Sequence, residues 1–314
     1  MATYTTTTQP ASATSLKRLI IRHPLVAFFV LAFAITWLPA FPLALSRNVG
    51  VGLLPYDLPD AVTTALYLVA SFIGPSLAAV IVLAMTEGRP GVTRLLKRCV
   101  QWRVQPRWYV VALSANLLIW LLSYGALMGP ELLTAAVRHW PLLFTSFLPY
   151  VGFHILIPSI AEEPGWRGFA LPRLQQRYGP LAASLILGLL HGLWHIPALM
   201  SLLGPTPLAN YPPFMLTAMM TAVLYTWVYN HTAGSVLLAM LFHAAGNAAV
   251  GWLTALFRDA GLQEPRTGVA GFLASTTWIN VIGYGLAALL LVVLTRGRLG
   301  PSTLSGGDDE RAHR

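Results

Sequence analysis

Long apolar stretches alternate along this chain with short polar connections, many of which are basic. An α-helix needs about 20 residues to cross the hydrocarbon of a bilayer, and eight stretches are long enough. The pattern therefore predicts an all-α, polytopic transmembrane bundle of about eight helices. The stretches span residues 24–46, 61–86, 108–129, 141–163, 181–203, 212–230, 234–257 and 269–295.

The two ends of the chain differ from the stretches between them. Residues 1–15 are rich in Thr, Ser and Ala, and residues 300–314 are polar, so both ends are predicted to be disordered tails. The membrane bundle is predicted between them, at residues 16–299, without an internal repeat or a separate soluble domain. The first apolar stretch is expected to be a retained helix, because no clear small-residue cleavage site precedes Arg47.

One connection mixes apolar and basic side chains. Between residues 91 and 104, Leu, Val and Trp alternate with four Lys or Arg residues. This pattern predicts a short helix that lies on the inner leaflet with its basic groups at the lipid headgroups. A plain solvated basic loop is the alternative.

Composition and charge support a membrane protein and give it an orientation. Hydrophobic residues make up 56% of the chain and charged residues only 10%, whereas soluble domains carry about a quarter charged residues. With a cytoplasmic amino terminus, 16 of the 20 Lys and Arg residues fall on the cytoplasmic side. The positive-inside rule then predicts that both termini are cytoplasmic. The exceptions are Arg47, Arg138, Arg258 and Arg266.

The same distribution excludes two other classes of protein. The net charge of +9 is spread over several loops that flank membrane segments, so nucleic acid is not a predicted partner. The single cysteine, Cys99, excludes an intrachain disulfide framework and a cysteine-rich metal site. The predicted partner of the bundle itself is the lipid bilayer.

The carboxylates Glu162 and Glu163 adjoin a membrane-type apolar segment, with Arg167 following four residues after Glu163. A charged group deep in hydrocarbon costs about 2.5 to 3.5 kcal/mol on insertion scales, so such groups normally face a partner or a polar cavity. Arg167 is the nearest candidate partner. Taken alone, the three residues fit a structural ion pair as well as a functional site.

Two further constellations place polar groups four residues apart, on one face of a helix. One contains His191 and His195, and the other His243 and Asn247. A glutamate can take a proton from water, a histidine can hold that water, and donors can stabilise an oxyanion. A glutamate and two histidines could equally bind zinc, although the H-E-x-x-H arrangement is absent. His191 is expected to support the site or to pack rather than to act directly.

These three constellations resemble the motifs of the CPBP intramembrane proteases, which include the CAAX prenyl endoproteases and relatives linked to bacteriocin self-immunity. Glu162-Glu163 with Arg167 is similar to the E-E-x-x-x-R motif of that family. His195 fits F-x-x-x-H, with His191 in place of the aromatic residue; the alternative register would make His191 functional, with Leu187 in the aromatic position. His243 and Asn247 fit H-x-x-x-N. The resemblance is best over residues 141–247, within a protease core predicted at about 141–257.

The resemblance implies an intramembrane endopeptidase that hydrolyses a peptide bond of a membrane-associated or lipidated substrate. Glu162 would be the general base, and His195 would bind or activate the water. His243 and Asn247 would stabilise the oxyanion, while Glu163 and Arg167 would organise the site by charge pairing. A metal-free reaction is preferred, because an Asn beside His243 suits a donor pair. The alternative is a catalytic zinc held by Glu162, His195 and His243.

The family's bacterial members also have similar residues around these motifs, which implies a multi-pass protein of a bacterial plasma membrane. Two other functional classes stay open. A non-catalytic scaffold or immunity protein could retain the motifs for assembly alone. A transporter also places Glu, His and Arg inside a bundle, but usually shows repeat symmetry, which this sequence lacks.

Overall fold

The computed structural model of the protein describes residues 15–72, 74–203, 211–263 and 278–300, and all regular structure in these ranges is helical. Apart from residues 15 and 300, the predicted tails lie outside the described residues. The first half of the chain forms α1 Ser15–Arg22, α2 Pro24–Leu45, α3 Asp60–Phe72, α4 Gly74–Thr86, α5 Gly88–Cys99, α6 Pro106–Met128 and α7 Pro130–Arg138.

The second half begins with one long helical stretch, Leu143–Trp194. It contains α8 Leu148–His154, α9 Ile160–Glu163 and α10 Leu171–Trp194, together with the π-helical segments π1 Leu143–Phe147, π2 Ile155–Ser159 and π3 Pro164–Ala170. The remaining helices are α11 Ile196–Leu203, α12 Tyr211–His231, α13 Val236–Ala260 and α14 Trp278–Thr295.

Five of the described helices are long and apolar enough to cross a membrane: α2, α6, the stretch Leu143–Trp194, α13 and α14. The all-α, polytopic fold predicted from the hydrophobic pattern is confirmed, and the chain is an integral multi-pass membrane protein. Helix α13 lies at the centre of the bundle. In its most apolar 18-residue segment 67% of the residues are buried, whereas the value is 22% for α2 and for α14. The small, buried alanines of α13 allow neighbouring helices to approach closely.

One predicted stretch is divided in the structure, and another contains a residue outside the described ranges. The stretch 61–86 is helical on both sides of residue 73, as α3 and α4, and residue 73 itself lies outside the described residues. The stretch 181–203 is the second half of α10 plus α11, and it is joined to the preceding span through a kink at Gly179, whose φ is 76°. Residues 269–277 of the last predicted stretch lie outside the described residues.

The connections predicted to be cytoplasmic meet at one end of the bundle. The Arg173 guanidinium contacts the Glu87 carboxylate at 2.6 Å, and the Asn230 amide donates to the Leu299 carbonyl at 3.1 Å. The connection predicted to carry an inner-leaflet helix is helical as α5 only to Cys99. Beyond that helix, the Trp102 side chain is 63% exposed.

Candidate active site

The paired carboxylates lie on a single α-helical turn between two π-helical segments, π2 and π3. Each of these segments contains a proline, Pro158 or Pro164, and proline cannot donate the backbone hydrogen bond that an α-helix requires. Such π-helical turns are frequent at functional sites. Segment π3 also packs closely on α4, because a Cβ added at Gly165 would lie 2.5 Å from the Pro75 carbonyl.

Glu163 is fully buried and paired. Both of its carboxylate oxygens accept from Nη1 of Arg167 at 3.0 Å, and Nδ1 of His243 contacts one of them at 2.7 Å. The Arg167 guanidinium also stacks on the Tyr225 ring, 3.7 Å from its centroid. The predicted partnership between the carboxylate pair and Arg167 is therefore made through Glu163.

Glu162 has a different environment. Its Oε2 lies 2.8 Å from Nε2 of His191, and its side chain lines a cavity. The His191 ring packs near the Trp166 ring, with 5.1 Å between the ring centroids. Sequence reasoning left His191 outside the principal site, although its spacing of four residues from His195 already placed both rings on one helix face.

His195 follows the end of α10 and contacts the residue one turn before it. Its Nδ1 donates to the backbone carbonyl of His191 at 3.0 Å, so in a neutral ring Nε2 is an acceptor. The side chain lines two cavities. His195 can therefore accept a hydrogen bond from a water molecule close to Glu162.

His243 and Asn247 lie one turn apart on α13 and line the same cavity. The α13 backbone beside them is held by Asn116 of α6, whose amide donates to the Phe242 carbonyl at 2.9 Å. The Tyr284 hydroxyl of α14 donates to the Asn116 side-chain oxygen, also at 2.9 Å. Sequence reasoning missed Asn116 and Tyr284; a lone amide within an apolar span was the available signal.

Two cavities meet at these residues. The larger, of about 340 Å³, lies between α6, α10, α12, α13 and α14, and its wall includes His191, His243 and Asn247. The smaller, of about 180 Å³, lies between α2, α3 and α11, and its wall includes Glu162. Because His195 lines both cavities and Glu162 lines the smaller one, these two side chains form part of the wall between the cavities.

The structure brings all six predicted site residues into this region, and it also identifies a possible metal set. The side-chain donor atoms of Glu162, His191 and His195 lie within 4.8 Å of one another. The predicted zinc alternative used His243 in place of His191. Among the described residues, however, His243 is outside this group, and its Nδ1 is bound to Glu163.

A cysteine nucleophile does not compete with this site. Cys99, on α5, is partly buried, and burial raises the pKa of its thiol to about 11. The thiol is therefore protonated at neutral pH and is a poor nucleophile.

A match to a known protein family covers the segment that contains all six residues. Residues 144–249 match the family described as type II CAAX prenyl endopeptidase, Rce1-like. A protein of Methanococcus maripaludis named CAAX prenyl protease 2 is 31% identical over 105 residues. This alignment covers 32% of the chain and 38% of that relative, so the chain matches well under half of the relative's length. The family resemblance identified from the three motifs is confirmed.

Proposed function

We propose that this chain, whose residues 144–249 match the CAAX prenyl endopeptidase family, is an intramembrane endopeptidase. The observation that supports the proposal is the meeting of Glu162, His195 and His243 at two cavities inside the helical bundle. The substrate class that we propose is a lipidated, membrane-associated peptide with a CAAX-like carboxyl terminus, by analogy with the name of the relative.

In the proposed reaction, the Glu162 carboxylate takes a proton from a water molecule that His195 Nε2 holds. The water oxygen attacks the carbonyl carbon of the peptide bond, and the carbonyl oxygen takes up the negative charge. The C–N bond then breaks, and the proton on Glu162 passes to the leaving amine. A carboxylate can perform both transfers because it serves first as a base and then as an acid.

The oxyanion is proposed to be stabilised from α13. In this proposal the His243 ring is protonated, so that Nδ1 donates to the Glu163 carboxylate at 2.7 Å and Nε2 donates to the oxyanion. The Asn247 amide lines the same cavity one helical turn later and supplies a second donor. Two donors aimed at the developing charge lower the barrier more than the same groups in water, because they are preorganised.

We propose that this reaction needs no metal. The Asn247 amide beside His243 suits a donor pair, and the hydrogen bond between Glu162 and His191 already orients the carboxylate. The donor set Glu162, His191 and His195 does fit a zinc ion. Such an ion, when bound, would act as a Lewis acid towards water or the carbonyl group.

The test is cleavage of a farnesylated CAAX peptide by the purified full chain in lipid nanodiscs. We expect cleavage by the wild type, its retention after washing with a chelator, and its loss in Glu162→Ala. Glu131→Ala, which changes an exposed glutamate on α7, is the matched control. Full cleavage by Glu162→Ala would exclude Glu162 as the base, and loss of cleavage restored only by zinc would exclude the metal-free reaction.

We also propose that both termini are cytoplasmic. The basic connections meet at one end of the bundle through contacts such as that of Arg173 with Glu87. Reporters fused after Arg314 or inserted near Gln101 should therefore report the cytoplasm, and one inserted near Pro59 should report the opposite side. A reporter near Gln101 that reads out on the opposite side would contradict this orientation.

A further inference from the structure

The two buried carboxylates of the site differ in their charged partners. Arg167 provides the fixed positive charge at the described site, and its hydrogen bonds go to Glu163. Glu162 is only 5% exposed, and its hydrogen bond is to the His191 imidazole. A buried carboxylate is costly unless a positive charge compensates it. The proposed imidazolium of His243 is bonded to Glu163, so a cation bound at Glu162 would be the positive charge in direct contact with that carboxylate.

The groups around Glu162 have the chemistry of a transition-metal site. Two imidazoles four residues apart on one helix face, together with a carboxylate, make a His₂Glu set that leaves a fourth position open. The donor atoms of Glu162, His191 and His195 lie within 4.8 Å of one another. Zinc–ligand bonds of about 2.0 to 2.1 Å place tetrahedral ligand atoms about 3.3 Å apart, so small side-chain shifts would complete the site.

The hydrogen bonds of the two histidines support the same assignment. Nδ1 of His195 donates to the His191 carbonyl at 3.0 Å, which is the outer contact that metal-binding histidines commonly make. It leaves Nε2 of His195 as the metal-binding atom. Nε2 of His191 lies 2.8 Å from Glu162 Oε2, so a cation can replace the proton that these two atoms share. His243, by contrast, directs Nδ1 to Glu163.

We propose that Glu162, His191 and His195 bind one divalent transition-metal ion, such as Zn²⁺, and that the bound ion inhibits hydrolysis. The inhibition rests on the proposed function, because the ion would occupy the Glu162 oxygen and the His195 nitrogen that hold and deprotonate the water. The ion can enter through either cavity, since His191 lines the larger and Glu162 the smaller.

The experiment measures binding without any substrate. The purified full chain in nanodiscs is desalted after incubation with Zn²⁺, the metal bound per chain is counted, and Co²⁺ is titrated by its visible absorption. We expect one ion per chain for the wild type. Loss of one ligand in His191→Phe should weaken binding by at least about 100-fold, since changes to outer contacts alone cost 10- to 100-fold.

Matched variants separate this ligand set from the alternatives. His243→Gln should keep the ion, and so should His139→Gln, which removes a partly buried histidine just after α7. Retained binding in His191→Phe with loss in His243→Gln would overturn the assignment. A loss of the ion in His191→Phe counts only if the variant assembles correctly, as judged by its elution and its thermal unfolding. If neither His191→Phe nor His191→Gln assembles, the cobalt spectrum of the wild type decides, and the absence of tetrahedral bands would also overturn the assignment.

A second measurement tests the inhibitory role. Zn²⁺ should reduce cleavage of the farnesylated peptide by the wild type, and it should reduce cleavage by His191→Phe much less, each relative to the same protein without metal. Activation of the wild type by Zn²⁺ would overturn the inhibitory role. A chain that binds the ion but cleaves no peptide would contradict the proposed function and leave the ligand assignment supported by the binding data.

Discussion

The two neighbouring carboxylates of this site occupy opposite surroundings. On the Glu163 side, an ion pair with Arg167, a contact with His243 and the Tyr225 ring close a fully buried network. On the Glu162 side, a single imidazole contacts the carboxylate, and the side chain borders a cavity. Consecutive residues on a helix point in different directions, so one turn can present a structural acid and a reactive acid.

The difference shows how a bundle can hold reactive charge. A buried ion pair that satisfies its partners positions the helices around it, whereas a carboxylate without a fixed cation remains available to exchange a proton. Neither role can be performed by the other residue, because the Glu163 oxygens already accept from Arg167. Substitutions on the Glu162 side should therefore act on rate, and those on the Glu163 side should also act on stability.

The largest expected effect is the loss of the base. Glu162→Ala should reduce cleavage by about 10⁴-fold, the upper end for general acid–base catalysis, with normal accumulation in the membrane. A second change, His195→Ala, should cost little more, because groups that act in one transition state lose activity non-additively. The check is the rate of peptide cleavage by the two single variants and the double variant. Fully additive losses would mean that the two residues act separately.

Removal of the structural acid should destabilise the bundle. Glu163→Gln leaves the buried Arg167 guanidinium without its carboxylate, which typically costs about 3 to 5 kcal/mol. We expect a lower thermal unfolding midpoint in detergent. Adding Arg167→Met should recover part of this loss, because the unpaired buried charge is then gone.

The matched control for that loss is Asp57→Asn, which breaks the exposed pair between Asp57 and Arg47. Exposed pairs contribute little to stability, so the midpoint should barely change. If Glu163→Gln were as stable as Asp57→Asn, the Glu163 side would not be the structural half of the site.

A smaller effect on rate is expected from the oxyanion donor. Asn247→Ala should lower cleavage by about 10² to 10³-fold, the usual effect of losing one such donor, and leave measurable activity because Glu162 is unchanged. Asn48→Ala, in the connection after α2, is the control for loss of an amide elsewhere. An Asn247→Ala variant as inactive as Glu162→Ala would place Asn247 in the proton-transfer step instead.

Much of this comparison could be predicted from the sequence, since the three motifs identified all six residues that converge at the site. The spacing of four residues between Glu163 and Arg167 favoured that pair over Glu162, and the structure contains it. His191 was undervalued because its importance comes from a 2.8 Å contact with a residue 29 positions earlier.

The smallest expected effect lies furthest from the chemistry, at the Asn116–Tyr284 contact. Tyr284→Phe removes the hydroxyl that donates to Asn116 at 2.9 Å, and an unsatisfied buried acceptor costs about 1 to 3 kcal/mol. Asn116 still donates to the Phe242 carbonyl, so the α13 backbone beside His243 should loosen rather than unfold. We therefore expect a modest fall in the thermal midpoint and in the cleavage rate. Tyr178→Phe, at an exposed tyrosine of α10, should change neither. If Tyr284→Phe lowered the midpoint but left the rate unchanged, the contact would support the bundle alone and would not position His243.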